Sequence, residues 1–400
     1  MTMAISLSQL LYSFLKKLTK SDLLTYIVKL MKGHHQQPLF RFRTYSPLAL
    51  KELQYGEIFF ASKDDLNDPY DTKSSALFKG DSTVYKRLIE FILTDQHSGF
   101  TFLRGKVDNI HTKVIADYLA KEDLLYDDLI RRISSPEFEQ IVVEAFRVEE
   151  SIGLSLAFIK HLKHFIHKYA GGHCYIASFS RKNNDPVMWS HYAQNHKGFC
   201  LCFSFDDDKI LGKHPSSFLQ EEYKIENVSY RDANNITNGF YCFPGAIYGE
   251  PLPEDDRKKH WEDKKAAFLT KFSSWQYEDE VRIVHDDWLT DNANENGVIK
   301  KPAWERIFYY EQTQLTGVIF GSRMESSQRN EIRSLVMGLR HNLIMSMGYL
   351  PIFTFYESSE SAMKYKMNIK QLDGLDAFNH LFDIELLKVK QEEYNKLKAR

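Results

Sequence analysis

No CxxC pair, P-loop, GxGxxG, GxSxG or HExxH occurs in the chain. These absences remove the commonest nucleotide-hydrolase, dinucleotide-oxidoreductase, esterase and zincin readings, since each chemistry needs its residues at that spacing. Cysteine is scarce. Cys174, Cys200, Cys202 and Cys242 lack zinc-type spacing and read as reduced, buried thiols. Charge of one sign is lacking too, because 52 basic against 54 acidic residues leave a formal net charge of -2. A general nucleic-acid binder carries a basic excess, so only a local basic groove stays open. No apolar run near the start is long enough to span a bilayer: Lys16, Lys17, Lys20, Asp22 and Lys29 interrupt it. No basic region followed by a small-residue cleavage site marks a signal peptide. The expectation is a cytoplasmic protein with no transmembrane segment.

Apolar and aromatic residues are plentiful, at 43% and 14% of 400 residues. That suffices for one large core or two ordinary domains. Leu10, Leu11, Phe14, Leu15 and Leu18, then Leu23, Leu24, Ile27, Val28 and Met31, recur at helical spacing. Residues 1–37 are therefore expected to form amphipathic helices. Residues 38–370 read as an α+β core with a helical insertion at 81–170, and 371–400 as a charged C-terminal helix. In the insertion, Leu88, Ile89, Ile92 and Leu93 form one stripe, and Ile141, Val142, Ala145 and Phe146 another. In "SPLALKELQYG", Pro47 opens a helix and Gly56 ends it. "GFCLCFSF" alternates as a strand, with Phe199, Leu201, Phe203 and Phe205 on one face.

Four stretches could carry chemistry. "WQYEDEVRIV" reads as a strand placing Glu278, Glu280 and Arg282 on one face and Tyr277, Val281 and Ile283 on the other. Two carboxylates roughly 7 Å apart repel, and one pKa should rise unless Arg282 or a ligand compensates. The group is either a salt-bridged strand edge or a carboxylate aimed at a developing positive charge on a sugar. "FRFRTYS" puts Arg41 and Arg43 on one strand face, suited to a phosphate or a carboxylate. Pairing with Asp68, Asp71 or the 278–280 acids is the plain alternative. "LNDPYD" reads as an Asx-type turn at Asn67 and Pro69, with Asp68 and Asp71 left to orient an arginine. "NDPVMWSHYAQNHKGFCLCF" crowds Trp189, His191, Tyr192 and His196, either to handle a proton or stack on a base, or more simply to wedge a helix onto a sheet. His161, His164 and His167 drift around their helix and point to no metal.

Together "LFRFRT", "LNDPYD", "SFSRKNNDPVMWSHYAQNHKGFCLCF" and "WQYEDEVRIV" resemble a widespread bacterial family, domain of unknown function 2971. Val281 stands where that family often has Trp. The resemblance covers roughly 38–80 and 172–321 and implies fold more than activity. A second resemblance, to ADP-ribosyltransferases, rests on the order of an Arg strand, a Ser strand and a Glu-x-Glu strand. It implies a split mixed or antiparallel sheet core with a large helical insertion and helical termini. It further implies that Arg41 or Arg43 grips NAD, that Ser178 holds the nicotinamide-side ribose, that Glu280 stabilises an oxocarbenium-like transition state, and that Glu278 orients the acceptor. Asn67, Asp68, His191 and Tyr192 complete the candidate ligand-binding set. The expected function is an NAD-dependent ADP-ribosyltransferase or NAD glycohydrolase, as a toxin or anti-phage defence effector, with a protein or nucleic acid as acceptor and the 81–170 helices as a partner surface. The alternatives are a metal-dependent nuclease or phosphodiesterase, and a non-enzymatic sensor or partner-binding module.

Overall fold

The computed structural model describes residues 38–68, 70–71, 75–94, 111–146, 152–171, 173–205, 209–214, 220–233, 236–243, 254–287, 293–347 and 353–372. The helices expected at 1–37 and 371–400 lie outside these residues, apart from Gln371 and Leu372.

The chain enters through β1 (Leu39–Arg43), α1 (Pro47–Tyr55), β2 (Glu57–Phe59) and β3 (Ala61–Ser62). Ser46 caps α1, Pro47 occupies its first turn, and Gly56 closes it in the left-handed region at φ 69°, as its sequence implied. Next come β4 (Ser75–Phe78), α2 (Ser82–Thr94), α3 (Thr112–Leu119), β5 (Leu124–Leu125), α4 (Tyr126–Ile133), α5 (Pro136–Ala145) and α6 (Ile152–Ala170). These helices bury Leu88, Ile89, Ile92, Leu93, Val142, Ala145 and Phe146 in a core shared with Phe78, Phe240, Cys242 and Phe243.

The chain then returns to strands: β6 (His173–Ser180), α7 (Pro186–Tyr192), β7 (Phe199–Phe203), β8 (Lys209–Lys213), β9 (Gln220–Asn227), β10 (Ser229–Arg231) and β11 (Ile236–Asn238). It continues with α8 (Glu254–Phe268), β12 (Thr270–Phe272), β13 (Glu280–Asp287), β14 (Ala293–Asn294), β15 (Gly297–Val298), β16 (Ile307–Tyr310), β17 (Leu315–Phe320), α9 (Ser326–Met347), β18 (Thr354–Glu360) and β19 (Met367–Gln371). The class is α+β.

Twelve strands form one mixed sheet in the order β19-β18-β17-β7-β1-β6-β13-β9-β8-β16-β2, with β3 on β6. Only Phe60 separates β2 from β3, yet β2 pairs with β16 and β3 with β6. The six-strand path from β6 to β2 therefore returns on itself through β3, which leaves no open edge there. On its free side β6 pairs with β1 at Ser180 and with β3 at Ile176 and Tyr175, so the sheet forks between them.

Strand parity sorts the two faces. Phe179, Phe199, Leu201, Phe203, Val281, Ile283 and Val318 build the core under α1 and α9. Phe40, Phe42, Cys200, Cys202 and Ile319 face the other way, onto Trp189 of α7. Trp189 is fully buried, meets Phe42 edge-on at 5.1 Å, and donates Nε1–H to the Asn183 carbonyl at 2.7 Å. The wedging role thus belongs to Trp189. After α7, Gln194, Asn195 and His196 all take positive φ, and Gly198 passes so near β1 that an added Cβ would lie 2.1 Å from the Arg43 carbonyl oxygen. All four cysteines are buried thiols. Among the described residues no helix is long and apolar enough to cross a membrane. Because the Trp189 pocket has nothing else to fill it, Trp189→Ala is expected to lower the unfolding free energy by about 3–5 kcal/mol, read from denaturant midpoints; a loss under 1 kcal/mol would show that α7 does not pin the sheet.

Candidate functional site

Glu278, Asp279 and Glu280 do not lie on one straight strand. Ser273–Glu278 is a 3-10 helix, Asp279 takes a left-handed conformation at φ 47°, and β13 begins only at Glu280. The Ser180 hydroxyl fixes this bend by donating to the Glu278 carbonyl at 2.6 Å. The bend cancels the parity expected for Tyr277, which packs on the Trp189 side with the acids, while Val281 and Ile283 point into the opposite core.

The bend brings Glu278 and Glu280 onto one ammonium. Lys271 of β12 lies 2.5 Å from Glu278 Oε2, 3.0 Å from Glu280 Oε2 and 3.6 Å from Asp71 Oδ2. Arg282, with no exposed surface, donates Nε–H to Glu280 Oε1 at 2.7 Å and Nη2–H to Glu280 Oε2 at 3.0 Å. It also reaches Asp71 Oδ2 at 2.8 Å and the Phe268 carbonyl at the end of α8 at 2.7 Å. Glu280 is therefore held in a fork, with Ser178 adding a side-chain hydrogen bond. Glu278 is bound differently: its second oxygen accepts from the Tyr192 hydroxyl at 2.6 Å. The Tyr230 hydroxyl accepts the Glu280 backbone N–H at 2.8 Å.

Three carboxylates against two cations leave one negative charge in a buried place, and among the described residues Asp71 Oδ1 has no hydrogen-bond partner. The imbalance falls unevenly. Burial raises the Glu278 pKa, and neighbouring Glu280 adds to the rise against the pull of Lys271. Burial also opposes ionisation of Glu280, but Arg282 and Lys271 outweigh it and hold that carboxyl at about 2. Burial would lower Lys271 as well; Glu280 and Glu278 more than reverse this. Tyr192 is pushed up by burial and then by Glu278.

Above Glu278 lies an aromatic rim. Lys271 sits 5.0 Å from the Trp275 ring centre, Trp275 and Tyr277 are 6.0 Å apart, and the Tyr277 hydroxyl lies 3.2 Å from His191 Nδ1. Trp275, Tyr277 and Tyr192 are half-buried and His191 is exposed. At the same margin Lys182 pairs with Asp279 at 3.7 Å and Arg181 donates to Asn227 at 2.6 Å.

Of the sequence-predicted residues, the fold brings together Glu278, Glu280, Ser178, Tyr192 and His191. Arg41 and Arg43 do not join them. Phe40, Ser180 and Glu280 occupy one row across β1, β6 and β13, so Arg41 and Arg43 emerge on the opposite face. There Arg43 pairs with Glu52 at 2.5 Å, a partner that the sequence reading did not consider. Asn67 is exposed, and Asp68 Oδ1 accepts from the Tyr70 backbone N–H at 2.8 Å, so the "LNDPYD" turn serves to deliver Asp71. Lys271 and Tyr230 went unrecognised. Lys271 is a single lysine between Leu269 and Phe272, Tyr230 stands among polar residues, and nothing local announces that β10 and β12 pair in parallel as Tyr230 against Lys271.

Residues 188–283 match the model of DUF2971, a protein of unknown function. No curated protein and no solved structure matches the chain. The DUF2971 segment runs from α7 into β13 and contains Tyr192, Tyr230, Lys271, Glu278, Glu280 and Arg282. Asp71 and Ser178 come from outside it. The likeness read from the "MWSHYAQNHKG" and "YEDEVRI" motifs therefore holds over the stretch that supplies most of the cluster.

Two outcomes follow. Replacing Arg282 with Met strands Asp71 and Glu280 and is expected to cost about 3–5 kcal/mol, with Arg282→Lys recovering little because it cannot fork. The pH dependence has a fixed sign. A carboxylate lowered from 4.5 to about 2 contributes stability that is complete above pH 4.5 and is lost as pH falls toward 2, roughly 3 kcal/mol in all. Urea unfolding across that window should show the loss in the native chain and a flatter profile in Glu280→Gln. Identical profiles would mean that Glu280 is not held ionised.

Proposed function

We propose that the chain breaks the nicotinamide–ribose bond of NAD at the Glu278–Glu280 site, as an ADP-ribosyltransferase or an NAD glycohydrolase. The observation that carries this reading is the pair of carboxylates sharing Lys271 while their environments push the pKa values apart, Glu278 upward and Glu280 down to about 2. Glu280 stays ionised and anchors Lys271, while Glu278 is the carboxyl of the pair whose charge is less compensated. Two further features support it. Strands β1, β6 and β13, which carry the Arg, Ser and Glu elements of the ADP-ribosyltransferase resemblance, are neighbours in the sheet. Trp275, Tyr277, Tyr192 and His191 offer flat faces for a nicotinamide ring beside Glu278.

The roles differ from those that the resemblance implies. Both oxygens of Glu280 are committed to Arg282, so Glu280 fixes Lys271 rather than meeting the sugar. Glu278, under the aromatic rim, is the carboxyl placed to face positive charge developing at ribose C1′. Lys182, which pairs with Asp279 next to Glu278, and its neighbour Arg181 replace Arg41 and Arg43 as the cations offered to a pyrophosphate. The nuclease alternative has less behind it: an ammonium and a guanidinium fill the space between Asp71, Glu278 and Glu280. Among the described residues no group of three His, Cys, Asp or Glu is arranged to hold a metal. A non-catalytic role for the cluster is favoured by one observation, the complete burial of Arg282.

Incubation of the purified chain with NAD, with and without cell lysate as a source of acceptor, decides between them by nicotinamide release. The expected result is release that falls at least 100-fold in Glu278→Gln while the melting temperature stays within a few degrees. No release under either condition, or release indifferent to Glu278→Gln, removes the proposal.

A further inference from the structure

The opposite sheet face carries a second buried charge cluster, with the reverse imbalance. At the fork of β6, Arg41 lies between β1 and the β2–β3 turn, donating to the Phe59 carbonyl at 3.3 Å and to the Ser178 carbonyl at 3.5 Å, with its guanidinium 5.5 Å from the Phe179 ring centre. These contacts are long for a group that is 8% exposed, and Arg41 has no carboxylate partner among the described residues. Arg43, two residues on and on the same face, is paired with Glu52. Tyr310 comes from β16 and stands edge-on to Phe203, whose strand partner Leu39 neighbours Arg41.

Two cations and one carboxylate leave one positive charge. Three donors are unused: among the described residues Arg41 Nε, Arg43 Nε and the Tyr310 hydroxyl, all buried, have no hydrogen-bond partner. Tyr310 is only 4% exposed. Leaving one such donor unpaired is costly, and three beside an uncompensated guanidinium form a complementary surface for an anion. Burial, and then Arg43, push Arg41 below the ordinary arginine range, and Glu52 does not make up the difference. The cluster is not sealed, since the Arg43 side chain keeps 23% of its surface exposed.

We propose that Arg41, Arg43 and Tyr310 form a binding site for a small oxyanion, the carboxylate or phosphate group of a metabolite, separate from the Glu278–Glu280 site and independent of the reading given to it. Parity places the two sites on opposite faces, so a ligand at one does not touch the other.

The test is thermal unfolding of the full chain in inorganic phosphate and in succinate, each against chloride at equal ionic strength. Phosphate also stabilises proteins by exclusion from their surface, so the variant comparison carries the result. The native chain is expected to show a saturable rise of several degrees at millimolar concentrations of one or both anions. Phosphate alone identifies a phosphate site, succinate alone a carboxylate site, and both a general oxyanion site. Tyr310→Phe removes only the unpaired hydroxyl, so it should melt no lower than the native chain in chloride yet need at least ten times more anion for the same shift. Glu278→Gln should respond like the native chain. Arg41→Met also removes the plug of the fork and is not relied on. A non-saturable response, one equal in Tyr310→Phe, one lost in Glu278→Gln, or none overturns the proposal.

Discussion

The buried guanidinium of Arg282 is the point on which the acidic side of the molecule depends. It joins β13 to the 66–71 turn through Asp71, to the end of α8 through the Phe268 carbonyl, and to Lys271 through the shared Glu280. Desolvating such an ion is expensive, and fully buried pairs often cost as much as they return. Net stability is therefore a poor reason for its presence. Placement is a better one: with Arg282 forked on Glu280, Lys271 has one fixed site, and Glu278 is left with the surplus charge beneath the Trp275–Tyr277 rim.

The sheet separates two unlike environments. Its outer face at β6 and β13 gathers three carboxylates and two cations, while its inner face at β1 and β16 gathers two cations and one carboxylate. Alternation of side chains across a strand makes this separation obligatory once the register is set. Phe40 against Ser180 and Ser180 against Glu280 fix that register, and Arg41 cannot then face Glu280.

Much of the fold was legible in the sequence because its signals are local. Ser46-Pro47 and Gly56 bracket α1, the alternation of Phe199, Leu201, Phe203 and Phe205 marks β7, and the Leu88–Leu93 stripe marks α2. The family motifs pointed to the acids, and Glu278, Glu280, Ser178 and Tyr192 do meet. What escaped reading is non-local or depends on a single backbone angle. The left-handed Asp279 turns an expected strand into a bend and moves Tyr277 to the other side. Lys271 enters through a parallel pairing that no residue pattern encodes, and Glu52 enters because α1 presents it to Arg43. Lone charged residues in apolar runs, such as Lys271 and Arg282, were the one available hint that buried ion pairs lay ahead.

The central claim is that one carboxyl of the adjacent pair is held ionised far below its ordinary range while the other is driven above it. Carbon-13 NMR titration of the side-chain carboxyl carbons, assigned by difference against Glu278→Gln and Glu280→Gln, measures this directly. The account predicts Glu280 titrating near pH 2 and Glu278 titrating above 4.5. Both titrating together near the ordinary glutamate value would contradict it.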